Sequence, residues 1–427
     1  MIRAAIRQLA ATLASLLLIG GAAAAADAPP APATPPASAA PARRELNVVP
    51  IAGGDSDVGI GFGEVSDWAG LAPGPPSLVP GALPYRWRLE SEAFITFKTQ
   101  NDAFIVPFQD YSLLLTVPNF TARKRMRLDI RGSYTDEATL KYYGIGNAST
   151  LPPASVNIRD TEYARIHPTL SVEARFNLAP AWFLQLGNLY TYNRLTVRPG
   201  TLLAADQVGG SPDVRAVIGD FNPHGVDLLE VGIEYDSRDN ETVTHRGMFH
   251  ELKARVSPQV PGWLPYGYQQ LDATFRFYVT PVPRWLSLSW RLVGDVLFGA
   301  PPFYELARFD ETPAIGGGKA VRGVPAQRYY GKVKVFENLE ARSELLPFHV
   351  KKKLLVLGVA AFLDAGRVWT EISQAHPELD GGGLGIKYGV GGGLRLQEGQ
   401  TFVVRADIAW SPDATPIGAY FAAGEIF

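Results

Sequence analysis

The stretch "YRWRLESEAFITFK", residues 85–98, alternates apolar and polar side chains along its length. One face carries Tyr85, Trp87, Leu89, Ala93, Ile95 and Phe97, and the other face is largely charged, with Phe94 as the exception. A period of two is typical of a β-strand, because successive side chains point to opposite sides. The same alternation recurs from Arg125, from Leu271 and from Phe402. The chain is therefore predicted to be rich in strands.

Two features of these strands favour a membrane barrel over a soluble sandwich. They run for roughly ten to fifteen residues, whereas soluble strands most often have about five or six. Their polar faces carry both signs of charge, as a wet barrel lumen does, while their apolar faces would contact lipid. About sixteen such segments follow from Leu46, an even number, as in bacterial outer-membrane barrels. The predicted fold is all-β, a 16-stranded antiparallel transmembrane β-barrel.

The connections between these segments support the same fold. The long ones lie near 138–161, 197–225, 299–330 and 371–383, and all of them join an odd strand to an even one. Most even-to-odd connections are short. Barrels of this class have short periplasmic turns and longer outer loops. The Pro- and Gly-rich connection at 67–84 does not follow this pattern.

The N-terminal region predicts export. Residues 1–26 combine Arg3 and Arg7 with an apolar run and a small-residue ending, which is the layout of a signal peptide. We predict that residues 27–43 are an Ala/Pro-rich linker and that residues 44–427 form the barrel. Without the two arginines the formal charge moves from −2 to −4, a mild value that argues against nucleic acid as a partner. The chain has no cysteine, which excludes disulfides and thiolate metal sites.

The sequence offers little for enzymatic chemistry. It contains no G-x-S-x-G nucleophile motif, and its histidines form no H-E-x-x-H spacing. Charged pairs such as Asp236 and Arg238 are what a polar lumen requires in any case. We therefore predict no enzymatic activity, no metal site and no cofactor.

Two motifs carry a family resemblance. Val321-Arg322-Gly323 lies in a long loop after about eleven strands, and Phe362-Leu363-Asp364-Ala365-Gly366 follows two strands later. Together with stretches at 142–147, 234–240, 337–345 and 392–396, their order resembles the BamA/TamA family of bacterial surface antigen barrels over about 44–427. Val324 stands where the family's loop signature has phenylalanine. The residues between the predicted signal and the first strand are too few for a POTRA domain.

The resemblance implies a sixth outer loop that folds into the lumen, where Arg322 meets Asp364. An arginine fork on a carboxylate forms a geometrically fixed, charge-assisted contact, so we predict that this pair is a structural latch. The implied function is assembly, insertion or translocation of outer-membrane proteins. A passive pore or a structural barrel without assembly activity remains the alternative at this point.

The resemblance also sets the expected location and partners. The protein is expected in the Gram-negative outer membrane, in contact with outer-membrane lipids and, during biogenesis, with the barrel assembly machinery. A periplasmic partner or client outer-membrane proteins are the further expected partners. Phe427 resembles the aromatic sorting signal of barrel proteins, although Glu425 departs from an alternating apolar ending.

Overall fold

In the part of the chain that the structure describes, sixteen strands make up the barrel wall. The computed structural model describes residues 44–71, 85–118, 120, 126–153, 155–240, 243–309, 312–350, 353–373, 376–398, 402–413 and 417–427. The wall strands are β1 (Arg44–Asp55), β2 (Gly59–Leu71), β3 (Tyr85–Gln100), β4 (Phe108–Val117), β5 (Met126–Lys141), β6 (Glu162–Ala179), β7 (Trp182–Val197), β8 (His224–Asp236), β9 (Gly247–Ser257), β10 (Tyr268–Val282), β11 (Leu286–Gly299), β12 (Val333–Val350), β13 (Lys353–Trp369), β14 (Lys387–Glu398), β15 (Phe402–Trp410) and β16 (Gly418–Ala423).

Each wall strand pairs antiparallel with its neighbours in the sequence, and β16 pairs with β1 to close the barrel. A short strand, Ala103–Ile105, extends the β3–β4 hairpin, and Arg308–Phe309 pairs with Thr312–Pro313 inside a loop. The predicted fold class is confirmed. The predicted signal peptide and linker lie outside the described residues.

Alternation along the strands separates a lumen face from an outer face. In β11, Ser289, Arg291 and Asp295 are buried inside, whereas Leu288, Trp290 and Leu292 are partly exposed on the outside. Apolar side chains on the outer face would contact lipid, and the charged inner face requires hydrogen-bonding partners. None of the helices in the described part of the chain has the length and apolar character needed to cross a membrane.

The long connections gather at one end of the barrel, as predicted for the cell-surface end. Those after β5, β7, β11 and β13 hold the helices, and β2 extends to Leu71, so the connection that begins at 72 is shorter than predicted. The helices are α1 (Leu202–Gly209), α2 (Pro212–Ile218), α3 (Pro377–Asp380) and the 3₁₀ turns Ile158–Thr161 and Phe303–Ala307. The side chains of Thr201 and Ser211 cap α1 and α2. Apolar side chains of these loops form one buried cluster across this end.

Candidate functional site

The connection between β11 and β12, residues 300–332, enters the lumen. Its central residues Val321 and Val324 are fully buried against Ile315, Phe336 and Val368. Glycine permits the turns, since Gly316 has a φ of 107° and the Cβ of any other residue there would lie 1.9 Å from a backbone oxygen. The loop is thus packed against the inner face of the wall.

Arg322, at the centre of this loop, lies against Asp364 of β13. Its Nε donates to Asp364 Oδ2 at 2.7 Å, its Nη2 donates to Oδ1 at 3.0 Å, and its backbone N–H donates to Oδ2 at 3.1 Å. Both side chains are fully buried. The structure therefore brings the two residues together in the fork geometry that favours a fixed contact. That this contact restrains the loop stays a prediction.

Two further carboxylates contact the same guanidinium. Arg322 Nη1 lies 3.0 Å from Glu340 Oε2 on β12 and 3.2 Å from Asp407 Oδ2 on β15. Burial alone would lower the pKa of Arg322, but Asp364, with Glu340 and Asp407, raises it above its ordinary value. Arg322 is therefore held as a cation between three strands.

Other arginines balance these carboxylates. Arg395 bridges Glu340, Asp407 and Glu425, Arg405 bonds to Asp407, and Arg342 bonds to Glu340. With Arg322, the cluster holds four arginines and four carboxylates, so its formal charge is zero. We call it the lumen cluster; its members are Arg322, Glu340, Arg342, Asp364, Arg395, Arg405, Asp407 and Glu425.

The other motif residues have separate packing roles. The Phe362 ring lies under the guanidinium, with Arg322 Cζ 3.3 Å from its centroid, which is a cation–π arrangement. Gly366 leaves room for the loop, because a Cβ there would lie 2.6 Å from Ile315 Cδ1. Gly323 has a φ of 90°, and a Cβ there would lie 2.9 Å from the backbone of Trp410. The loop motif at 321–323 and the strand motif at 362–366 therefore pack against each other.

The seam between β1 and β16 is weakly paired. Within the described residues, their pairing is limited to Gly54–Phe421 and Asp55–Tyr420, with one further bond from Ser56 N–H to the Ala419 carbonyl. By contrast, β1 pairs with β2 along its whole length, from Arg44–Gly70 to Asp55–Gly59. In the part of the chain that the structure describes, residues 44–53 of β1 therefore form an edge at which β16 does not pair.

Phe427, the predicted sorting residue, lies in the lumen and not in a strand. The chain leaves β16 after Ala423 and turns at Gly424, which has a φ of 83°. Phe427 is 9% exposed, and its ring lies 6.3 Å from that of Tyr278 and 5.0 Å from Arg291 Cζ. Its role in sorting stays a prediction.

Comparison with known families identifies the barrel. Residues 108–427 match the Omp85 superfamily domain. The chain belongs to the Omp85 superfamily. This membership confirms the resemblance drawn from the two motifs, and it places the protein in the Gram-negative outer membrane. No curated protein matches the chain.

Solved structures show the same fold for this Omp85 barrel. It is similar to BamA from Haemophilus ducreyi lacking POTRA domains 1–3, with a TM-score of 0.56 and 14% identity over 90% of this chain and 70% of that one. It is also similar to CdiB from Escherichia coli, with a TM-score of 0.52 and 13% identity over 88% of this chain and 62% of that one. At these identities the likeness establishes the fold.

Sequence reasoning missed several residues of the loop contact. Glu340, Asp407 and Tyr420 contact the loop from three strands, and Gly389 lies so close that a Cβ there would be 1.8 Å from the Arg322 carbonyl oxygen. Glu340 lies within the 337–345 stretch, and Asp407 lies on a polar strand face, so the sequence pattern could have identified both as lumen-facing residues. No sequence pattern could have identified Gly389 and Tyr420, because their role depends on the position of the loop in the lumen.

Proposed function

We propose that this Omp85 barrel inserts or translocates outer-membrane proteins, and that the client strand enters at the seam between β1 and β16. The observation that carries the proposal is the edge of β1 at residues 44–53, which has no pairing with β16 among the described residues. An exposed strand edge offers a row of backbone donors and acceptors to an incoming strand. Pro50 within β1 supports this reading, because proline in sheets is largely confined to edge strands.

Separating the two strands of the seam also requires little free energy. Each backbone hydrogen bond contributes only about 0.5–1.5 kcal/mol net, so a seam of this size costs a few kcal/mol to separate. Elsewhere in the wall, β12 and β13 pair from Val333–Trp369 to Val350–Lys353. Opening is therefore expected at the seam before any other strand pair separates.

The proposal assigns clients and partners but no catalytic residue. Clients would be unfolded outer-membrane proteins, delivered by a periplasmic partner. Strand addition exchanges hydrogen bonds and breaks no covalent bond, so neither a nucleophile nor a metal is required. The buried loop and the lumen cluster occupy the interior, which favours this function over a passive pore.

A reversible lock of the seam tests the proposal. The chain has no cysteine, so an engineered pair, Ser56→Cys with Ala419→Cys, forms the sole disulfide across the seam. Ala341→Cys with Ala361→Cys, a register pair of β12 and β13, is the matched control. Purified protein in phosphatidylcholine–phosphatidylglycerol vesicles would receive an eight-stranded outer-membrane barrel from urea, and folding of this client would be followed by its gel mobility.

We expect the oxidised seam lock to abolish accelerated folding of the client, reduction to restore it, and the control pair to have no effect. If the locked and reduced proteins accelerate folding equally, the seam is not the entry site. If neither accelerates folding and the vesicles conduct ions steadily, the protein is a passive pore.

A further inference from the structure

The inward-folded loop contacts both sides of the seam. We call residues 316–327 the loop tip. The Gly323 N–H donates to the Tyr420 hydroxyl on β16 at 2.8 Å. The Ala326 N–H donates to Asp57 Oδ2 at 2.9 Å, and Asp57 lies in the turn between β1 and β2. Two residues of the loop tip, three positions apart, therefore bind β16 on one side of the seam and the β1–β2 turn on the other.

These contacts lie at the outer end of the seam, where β1 and β16 are paired. Tyr420 is the register partner of Asp55, two residues before Asp57. The Tyr420 side chain is buried, and Gly318 packs on its ring so closely that a Cβ there would lie 2.9 Å from Cδ1. The ring is thus enclosed by the loop tip on one side and by the wall on the other.

We infer that the loop tip is a clasp that holds the outer end of the seam closed. This inference rests on the proposed function, because a closed seam matters only if the seam must open. The clasp supplies two hydrogen bonds, one to Tyr420 on β16 and one to Asp57 in the β1–β2 turn, so that the loop tip bridges the seam. Among the described residues, direct pairing between the seam strands supplies two residue pairs and the Ser56–Ala419 bond. A large share of the connection across the seam therefore passes through the loop tip.

The clasp also links the seam to the lumen cluster. Arg322 lies next to Gly323 in the chain, and its side chain is bound to β12, β13 and β15. Release of Arg322 would therefore displace the Gly323 N–H from Tyr420. Asp57 and Tyr420 act as positioning residues, because they set the separation of the seam strands and contact no client.

Hydrogen exchange at the seam tests the clasp without any client. Purified barrel in nanodiscs would be labelled, and exchange followed in peptides that cover 51–58 and 418–423. Tyr420→Phe removes the acceptor hydroxyl and keeps the ring, and Asp57→Ala removes the other acceptor. Tyr111→Phe, which removes an exposed hydroxyl on β4, is the matched control.

We expect about tenfold faster exchange of the seam amides in each variant, with no change in the control, since each variant removes one clasp hydrogen bond and so raises the population of the open seam. Asp57→Asn retains a carbonyl acceptor and should exchange like the unaltered protein. This variant separates loss of the hydrogen bond from loss of the charge.

Unchanged seam exchange in Tyr420→Phe and Asp57→Ala, with folding verified by heat-modifiable gel mobility, would overturn the clasp. Should Asp57→Ala fail to fold, Tyr420→Phe alone decides the outcome. The proposed function stands or falls separately, because the disulfide lock measures client folding and the exchange experiment contains no client.

Discussion

Replacing Arg322 should damage the loop more than replacing its main partner. Arg322→Ala removes the cation between Asp364, Glu340 and Asp407. Glu340 and Asp407 keep the other arginines of the lumen cluster, whereas Asp364 keeps the amide of Asn338. Asp364→Ala leaves Arg322 with two carboxylates still in contact. The two substitutions break the same contact, yet they leave different charges behind in the lumen cluster.

The burial of these charges sets the expected changes in the free energy of loop opening. Breaking a fully buried ion pair by removing one partner costs about 3–5 kcal/mol, and access of water to a lumen reduces that cost. For Arg322→Ala we expect about 3 kcal/mol in the free energy of loop opening. For Asp364→Ala we expect about 1.5 kcal/mol, the usual contribution of hydrogen bonds to a charged group, because Glu340 and Asp407 still compensate the guanidinium.

Limited proteolysis of the folded barrel measures this loop opening. When opening and closing are fast, the cutting rate follows the population of the open loop. At about 1.4 kcal/mol per tenfold change, Arg322→Ala should speed cutting within 299–330 by about a hundredfold or more, and Asp364→Ala by about tenfold. Arg86→Ala, which removes an exposed arginine on β3, is the control for charge removal and should have no effect.

The double variant decides whether the two residues act together. Because both changes break one contact, the double variant should fall short of the sum of the single effects by about 0.5–3 kcal/mol. Strictly additive effects, or normal protease resistance in both single variants, would show that the contact between Arg322 and Asp364 does not restrain the loop and that the latch does not exist.

Three further predictions concern other parts of the structure. Gly389→Ala should make the loop as sensitive to protease as Arg322→Ala does, because the new Cβ would clash with the Arg322 carbonyl oxygen. The control Gly132→Ala places its Cβ in open space and should leave the cutting rate unchanged. Phe427→Ala should lower the folded fraction in the outer membrane, measured by heat-modifiable mobility, with export across the inner membrane intact; normal accumulation would exclude Phe427 as the sorting signal. Arg308→Gln should make the loop more sensitive to protease around position 308, because it breaks the 3.1 Å contact between Arg308 Nη1 and Glu137 Oε2 on β5; unchanged cutting there would show that the loop does not depend on this contact.

Much of the wall was predictable because a period of two is a local property. The alternation in 85–98 requires only the direction of successive side chains, and β3 extends over it from Tyr85 to Gln100. The polar inner face of β13 likewise placed Asp364 in the lumen. Strand number and lumen-facing residues therefore follow from the sequence without knowledge of any partner.

The network around Arg322 was not predictable, because it depends on strand register. Glu340 and Asp407 lie on strands far apart in the sequence, and they reach one guanidinium only after each strand has paired with its neighbours. A shift of one residue in either strand would turn the carboxylate to the lipid side. The sequence identified Arg322 and Asp364, but it could not show that two further carboxylates contact Arg322.

The distribution of pairing suggests why the loop is anchored where it is. Asp364 and Glu340 belong to β13 and β12, of 17 and 18 residues, which are paired with each other along their length. Tyr420 belongs to β16, which has 6 residues and little pairing with β1. The loop tip is thus bound to the β12–β13 hairpin by buried ion pairs. At the seam, it is bound by single hydrogen bonds to Tyr420 and Asp57. Segments that must move are drawn from the low-stability parts of a protein. A force that separates the seam should therefore break the contacts of Gly323 and Ala326 before it disturbs Arg322. Under the proposed function, the seam would then open and close while the loop keeps its position.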